Sequence, residues 1–291
     1  MLCWALGAVF WLNAGGCGGP PRGGGQEDAA RLIRLARAAP ERVPAEHQRR
    51  LVRLAAAQPC PCEGGGDSLA QCARGPEPSC ARAPYALRLI LRGLARGAAD
   101  GQIRLWFRQR YAPRGPSPMD LRRSPCKGPE KAPTLVVVFS DFQCPACAFG
   151  RRLLEAVSEE TGERLRLCFK NLPLRSIHPH AQLAAQAAMA AHLQGRFWPM
   201  HDLLYDNQHA LDRQAIAGYA KRAGLDPTRF LVDLDGEEVR LLVARDLAEA
   251  RVLGLRGTPT FFVNGRQVSD PITLVDFVDW VEEAAAVRSG R

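Results

Sequence analysis

The spacing of apolar positions divides this chain into an all-helical first part and a second part in which strands appear. Residues 29–39 and 45–57 carry two short helical patterns of Ala, Leu and Arg, and Pro44 suits a first helical turn. Two more helices are predicted over about residues 84–96 and 100–110, the second with Ile103, Trp106 and Phe107 on one face. The prolines from Pro113 to Pro118, with Pro125, Pro129 and Pro133, read as linker. After it, residues 135–139 read as a buried strand, followed by a helix over about residues 148–160 and a second strand over 164–169. An Ala- and Leu-rich region from His180 to about Leu253 predicts several helices, broken near Gly195, at 207–212 and at 224–227. Strand residues after Thr260 then run into Asn264-Gly265, the strongest two-residue hairpin signal, and a last helix covers about residues 274–287.

The start of the chain reads differently. Residues 2–12 form an apolar run too short to span a bilayer, followed by the small residues Ala14-Gly15-Gly16. This suits a secretory signal with its cleavage site. Cys17, directly after the small residues, resembles the lipidated cysteine of a bacterial lipobox, although Ala14 stands where Leu is usual and no Lys or Arg precedes the run. Residues 1–17 are therefore read as a signal peptide or a lipoprotein signal, with a lipid anchor at Cys17 in the second case, and residues 18–28 as a flexible Gly/Pro tether. The expected location is the periplasm or another exported site. No other stretch is long and apolar enough to cross a membrane.

The net charge of +9 changes the picture little once divided. Residues 18–131 hold 21 Lys/Arg against 10 Asp/Glu, and the rest of the chain holds 18 against 20. The basic excess is nearly all Arg among Ala, Gly and Pro, without interleaved aromatics, so no nucleic-acid partner is expected. Ten cysteines agree with an oxidising compartment.

Cys144-Pro145-Ala146-Cys147 stands between the first strand and its helix. Free N–H groups and the helix dipole favour a negative charge at the first cysteine, the candidate thiolate nucleophile. The second, one turn on, can close a disulfide with it. Taken alone, the motif also fits half of a zinc site, which needs two more ligands. Setting aside Cys3 and Cys17 leaves this pair and six further cysteines for structural bridges.

Residues 139–147, the run Ile177-His178-Pro179-His180-Ala181, residues 197–204 and residues 256–265 resemble, in order and spacing, the DsbA-like thioredoxin family of bacterial thiol–disulfide oxidoreductases. The likeness covers about residues 124–291. It implies an α/β thioredoxin fold over 132–291 with a helical insertion at about 178–253; before it, the residue pattern itself reads as a small Cys-containing helical domain (29–112) and a Pro-rich linker (113–131). It further implies Cys144 as nucleophile, Cys147 as resolving cysteine, Pro145 and Ala146 as active-site loop, and Thr258-Pro259 as a substrate-binding cis-proline turn. The activity implied is thiol–disulfide exchange on protein substrates, served by a membrane redox partner, with no cofactor beyond the Cys144–Cys147 disulfide and no metal. Ala146 stands where strongly oxidising members carry His, which implies a less oxidising pair and leaves the direction of electron flow open.

Residues 60–111 more faintly resemble the helical thiol domain of CcmH-type cytochrome c maturation proteins, through cysteines ahead of a helix, residues 89–97, and Ile103 through Arg110-Tyr111. That family carries Cys-x-x-Cys where this chain has Cys60-Pro61-Cys62. The preferred reading of Cys60, Cys62, Cys72 and Cys80 is two disulfides stapling a small domain, with a zinc site as a minor third option. Two alternative functions follow: a dedicated thiol reductant or chaperone in cytochrome c maturation, and a non-catalytic peptide-binding module on the same fold. Among the remaining candidates, His178 and His180 read as capping or surface groups rather than metal ligands, and Trp198 and His201 as packing within the helical insert. Asp141 reads as a loop acid able to influence Cys144. Cys168 reads as a buried inert thiol, with a bridge to Cys126 as the alternative.

Overall fold

The computed structural model describes residues 24–62, 66–74, 80–112, 117–269 and 272–288. The signal at 1–17, with Cys17, and the first part of the tether lie outside the described residues.

Five helices come first: α1 (Gly24–Leu35), α2 (Ala45–Ala57), α3 (Leu69–Cys72), α4 (Ala83–Ala95) and α5 (Asp100–Tyr111). They bury Leu32, Leu51, Leu54, Leu87, Ile90 and Phe107 in a core of their own. Two disulfides, Cys60–Cys72 and Cys62–Cys80, tie the short α3 and the start of α4 to the end of α2. Ser68 and Gln71 cap α3 reciprocally, each side chain taking up a backbone N–H of the other. At Gly93 of α4, a Cβ would stand 2.8 Å from Ile103 Cγ1, so only glycine lets α4 and α5 approach this closely.

The second part is a mixed sheet of β1 (Cys126–Lys127), β2 (Thr134–Ser140), β3 (Leu165–Asn171), β4 (Thr260–Val263) and β5 (Arg266–Gln267), in the spatial order β1-β3-β2-β4-β5. β2 and β3 are parallel, joined by the crossover helix α6 (Pro145–Thr161), and the other pairings are antiparallel. Between β3 and β4 lie α7 (Ala181–Leu193), α8 (Phe197–Asp206), α9 (Arg213–Arg222), α10 (Pro227–Leu234) and α11 (Glu237–Val252), and α12 (Leu274–Arg288) closes the chain. Alternation along β2 sends Val136 and Val138 to the face covered by α6 and α12, and Val137 and Phe139 to the other face with Cys168 and Phe262. The turn between β4 and β5 has both central residues at positive φ, Asn264 at 46° and Gly265 at 77°, as a type I′ hairpin requires.

Two expectations are corrected here. Residues 117–131 are not a free linker. Ser117 N–H donates to Gly265 O at 2.9 Å, Met119 and Leu121 pack on the sheet, and β1 pairs with β3. Cys168 is not an inert thiol: it is bridged to Cys126, its direct partner in the β1–β3 register. A two-residue strand among prolines has no hydrophobic period to reveal it, so neither feature could be read from local pattern.

The helical part docks on α12 through charge. Arg88 and Arg92 of α4 and Arg96 at its C-cap meet Asp276 and Asp279, with Arg92 Nε–Asp276 Oδ1 at 2.8 Å and Arg96 Nη2–Asp276 Oδ2 at 2.6 Å. Arg110 of α5 is almost fully buried, donating to Glu283 Oε2 from Nε (3.0 Å) and Nη2 (2.6 Å), with its guanidinium 4.1 Å from the Trp280 ring centroid. Burial alone would raise the Asp276 carboxyl, but hydrogen bonds from Arg96 and Thr273 and the Arg92 charge hold it below its ordinary value.

Candidate active site

Cys144 is the N-cap of α6 and Pro145 its first helical residue, where the missing N–H costs nothing. Cys147 follows within the first turn, with only 1% of its surface exposed against 8% for Cys144. Both are free thiols. The Thr258–Pro259 peptide bond is cis, and Cys144 Sγ lies 3.7 Å from Thr258 O. Pro259 also packs on α6 at Gly150, where an added Cβ would come within 3.1 Å of Pro259 Cγ and of Phe261 Cζ. Strand end, redox turn and proline turn are thereby held against one another.

The two sulfurs sit in different electrostatic surroundings. Burial pushes the Cys147 thiol from its ordinary 9.0 up to about 12, against the opposing influence of the nearby Ser140 and Thr258 hydroxyls and the Asp141 N–H. That N–H lies 3.4 Å from Cys147 Sγ. Ser140 Oγ in turn shares a 2.7 Å hydrogen bond with Tyr205 OH. At neutral pH Cys147 therefore keeps its proton, while Cys144 stands at the start of α6.

Three side chains fix the turn. Asp141, its side chain fully buried, accepts from Gln143 N–H, Leu174 N–H and His178 Nδ1, each at 2.8 Å. Gln143 Oε1 accepts from His180 N–H at 2.7 Å, and Gln208 Nε2 donates to Phe142 O (2.7 Å) and Cys144 O (2.9 Å). Asp141 is thus a structural clamp between the redox turn and the loop after β3. His178 is its partner rather than a surface group, while His180 is exposed at the start of α7.

Beside Cys147 lies a small cleft lined by Ser140, Gly150, Trp198, His201, Tyr205 and Pro259, among others. His201 is buried among the rings of Phe142, Phe169, Phe197, Trp198 and Tyr205. Burial lowers its pKa more than the 2.8 Å contact with Asp202 raises it, so the imidazole is neutral at pH 7. Trp198, expected only to pack the insert, also walls this cleft and carries Lys127 Nζ 4.5 Å from its ring centroid. Sequence reasoning missed Gln208 and Tyr205. Gln208 falls in a segment legible only as a helix break, and Tyr205 looks like any helix-face aromatic.

A family model described as "Thioredoxin" matches residues 121–283. Curated relatives include the Na(+)/H(+) antiporter NhaA of Herminiimonas arsenicoxydans, 42% identical over 151 residues, covering 52% of this chain and 24% of that protein. NhaA 3 of Salinispora tropica is 40% identical over 179 residues, covering 61% and 26%. The chain spans about a quarter of the length of these relatives. Among the described residues, no helix is long and apolar enough to cross a membrane. Among solved structures, oxidised BdbD from Bacillus subtilis superposes with a TM-score of 0.52 at 20% identity, over 58% of this chain and 97% of that one. A periplasmic thioredoxin-like protein from Salmonella enterica serovar Typhimurium gives 0.50 at 22% identity, over 62% and 97%. These structures share the fold, and with the family match over more than half of its length the chain belongs to the thioredoxin family, with helices inserted between β3 and β4.

Proposed function

We propose that this chain is an exported protein thiol–disulfide oxidoreductase working through Cys144 and Cys147. The observation that carries the reading is the asymmetry of the two sulfurs: one at a helix start facing the cis-proline turn, the other buried and protonated. In the reducing direction the Cys144 thiolate attacks one sulfur of a substrate disulfide, the other sulfur leaves as a thiolate, and a mixed disulfide forms. Cys147 then gives up its proton and attacks Cys144 Sγ, which releases the second substrate thiolate and closes Cys144–Cys147. The oxidising direction runs the same bonds backwards: a substrate thiolate opens Cys144–Cys147 and a second one releases the product disulfide. The backbone beside Thr258 would pair with the extended substrate strand. Ala146 brings no cation near Cys144, which favours the reducing direction over strong oxidation. Residues 1–17, read as a signal peptide or a lipoprotein signal with Cys17 as anchor, support an activity outside the cytoplasm, served by a membrane redox partner.

Reduction of insulin by dithiothreitol, followed by turbidity, tests the assignment. Wild type should accelerate it, Cys144→Ser should lose the acceleration, and Cys147→Ser should accumulate mixed disulfides through Cys144. Equal inactivity of wild type and Cys144→Ser would overturn the enzymatic reading. A reduction potential near −120 mV, the value of a strong oxidant, would overturn the reducing direction alone.

A further inference from the structure

A second group of sulfurs lies in the helical part, where the reaction at Cys144 makes no use of it. The bridges Cys60–Cys72 and Cys62–Cys80 begin at two cysteines separated only by Pro61. Cys60 and Cys62 are half-buried, whereas Cys72 and Cys80 are 0% and 1% exposed. Each bridge thus joins a surface sulfur to a core sulfur. The Sγ atoms of Cys60, Cys72 and Cys80 all lie within 4.8 Å of one another, although Cys80 belongs to the other bridge. The core sulfur of one bridge therefore faces both sulfurs of its neighbour.

We propose that these four cysteines form a second redox site, in which reduction by one dithiol leaves a buried Cys72–Cys80 disulfide and an accessible Cys60/Cys62 dithiol. An external dithiol, through its thiolate, attacks the half-exposed Cys62 Sγ. The Cys62–Cys80 bond breaks, and Cys80 leaves as a thiolate. The second thiol of the reductant resolves the mixed disulfide, so the reductant becomes a disulfide and Cys62 a thiol. Cys80 then attacks Cys72 Sγ, which lies within 4.8 Å of it. Cys72–Cys80 forms, Cys60–Cys72 breaks, and Cys60 leaves as a thiolate that takes a proton from water. Two electrons have entered, and one disulfide has moved from the surface to the core.

Solvation drives the exchange. A thiolate at Cys72 or Cys80 would lie in the helical core among Leu69, Ala73 and Ala83, where burial disfavours charge. Bonding those two sulfurs removes that penalty, while Cys60 and Cys62 keep contact with water. The resulting Cys-Pro-Cys dithiol would exchange with a dithiol or disulfide of another protein. This goes beyond the thioredoxin-domain reaction and stands whether or not that reaction is confirmed.

The test uses the full chain, equilibrated in dithiothreitol redox buffers, quenched in acid and alkylated with N-ethylmaleimide. Cleavage after Arg and Glu separates three peptides: 54–63 with Cys60 and Cys62, 64–74 with Cys72, and 75–82 with Cys80. The expected two-electron species has 54–63 unlinked and doubly labelled, with 64–74 joined to 75–82. Labels on Cys62 and Cys80 with Cys60–Cys72 retained would overturn the proposal. So would labels on Cys60 and Cys72 with Cys62–Cys80 retained, or simultaneous opening of both bridges with no two-electron species. The Cys144 and Cys147 peptides are read separately and do not enter the assignment.

Discussion

Reduced Cys147 should titrate far above an ordinary thiol. Its surroundings move it from 9.0 to about 12, a preference for the protonated form worth roughly 4 kcal/mol at about 1.4 kcal/mol per pKa unit. At pH 7 the thiolate fraction falls roughly a thousandfold below that of a free thiol. A more basic thiolate is intrinsically more nucleophilic, which restores about twentyfold at a Brønsted slope near 0.45, so exchange with a small disulfide probe is slowed about fiftyfold. Burial slows it further by limiting access. The pH midpoint is therefore the cleaner readout than the absolute rate. In Cys144→Ser, where Cys147 is the remaining dithiol member, absorbance at 240 nm should show no thiolate through the ordinary value of 9.0 and a rise well beyond it. Burial is the largest cause and survives the substitution. A midpoint at or below 9.0 would refute the desolvation argument and, with it, the division of roles between the two cysteines. Stability carries the same signature. The folded reduced protein holds a proton that the unfolded chain has lost between 9.0 and about 12, so its stabilisation is complete below pH 9.0 and disappears across that interval.

Three further outcomes are expected. Glu283→Gln leaves the nearly buried Arg110 guanidinium without its carboxylate and should cost about 3–5 kcal/mol in urea unfolding; the volume-conserving pair Arg110→Met with Glu283→Leu should cost much less, and equal losses would assign the effect to packing. Replacing Cys126 and Cys168 by Ala opens a loop with a sequence separation of 42 and should lower stability by about 4 kcal/mol on the chain-entropy argument, while unchanged stability would mean that β1 stays ordered without its bridge. Gly150→Ala gains about 0.5–1 kcal/mol of helix propensity but forces its Cβ against Pro259 and Phe261, so insulin reduction should fall severalfold with helix content unchanged in circular dichroism. A fully active, more stable Gly150→Ala would show that the contact yields freely.

The redox turn was legible because its chemistry is local. A Cys-x-x-Cys between a strand pattern and a helix pattern needs only four adjacent residues and the dipole of the helix they start. The long periodic segments of the insert and the Asn264-Gly265 hairpin were legible for the same reason, since period and turn chemistry act over a few residues. The Thr258-Pro259 turn was visible only through resemblance, because nothing nearby in the chain shows that it faces Cys144. What tertiary structure alone decided involves residues far apart. Burial on the inner face of α6 keeps the Cys147 proton, and Gln208 holds the carbonyls of Phe142 and Cys144 from 66 and 64 residues away. The Cys126–Cys168 bridge follows from the strand register, and the Arg–Asp/Glu seam from the docking of α4 and α5 on α12. The sequence by itself determined which bonds this protein is equipped to break and form. Only folding decided which sulfur keeps its proton, because charge in a protein answers to solvent exclusion and neighbours in space, and neither has a period along the chain.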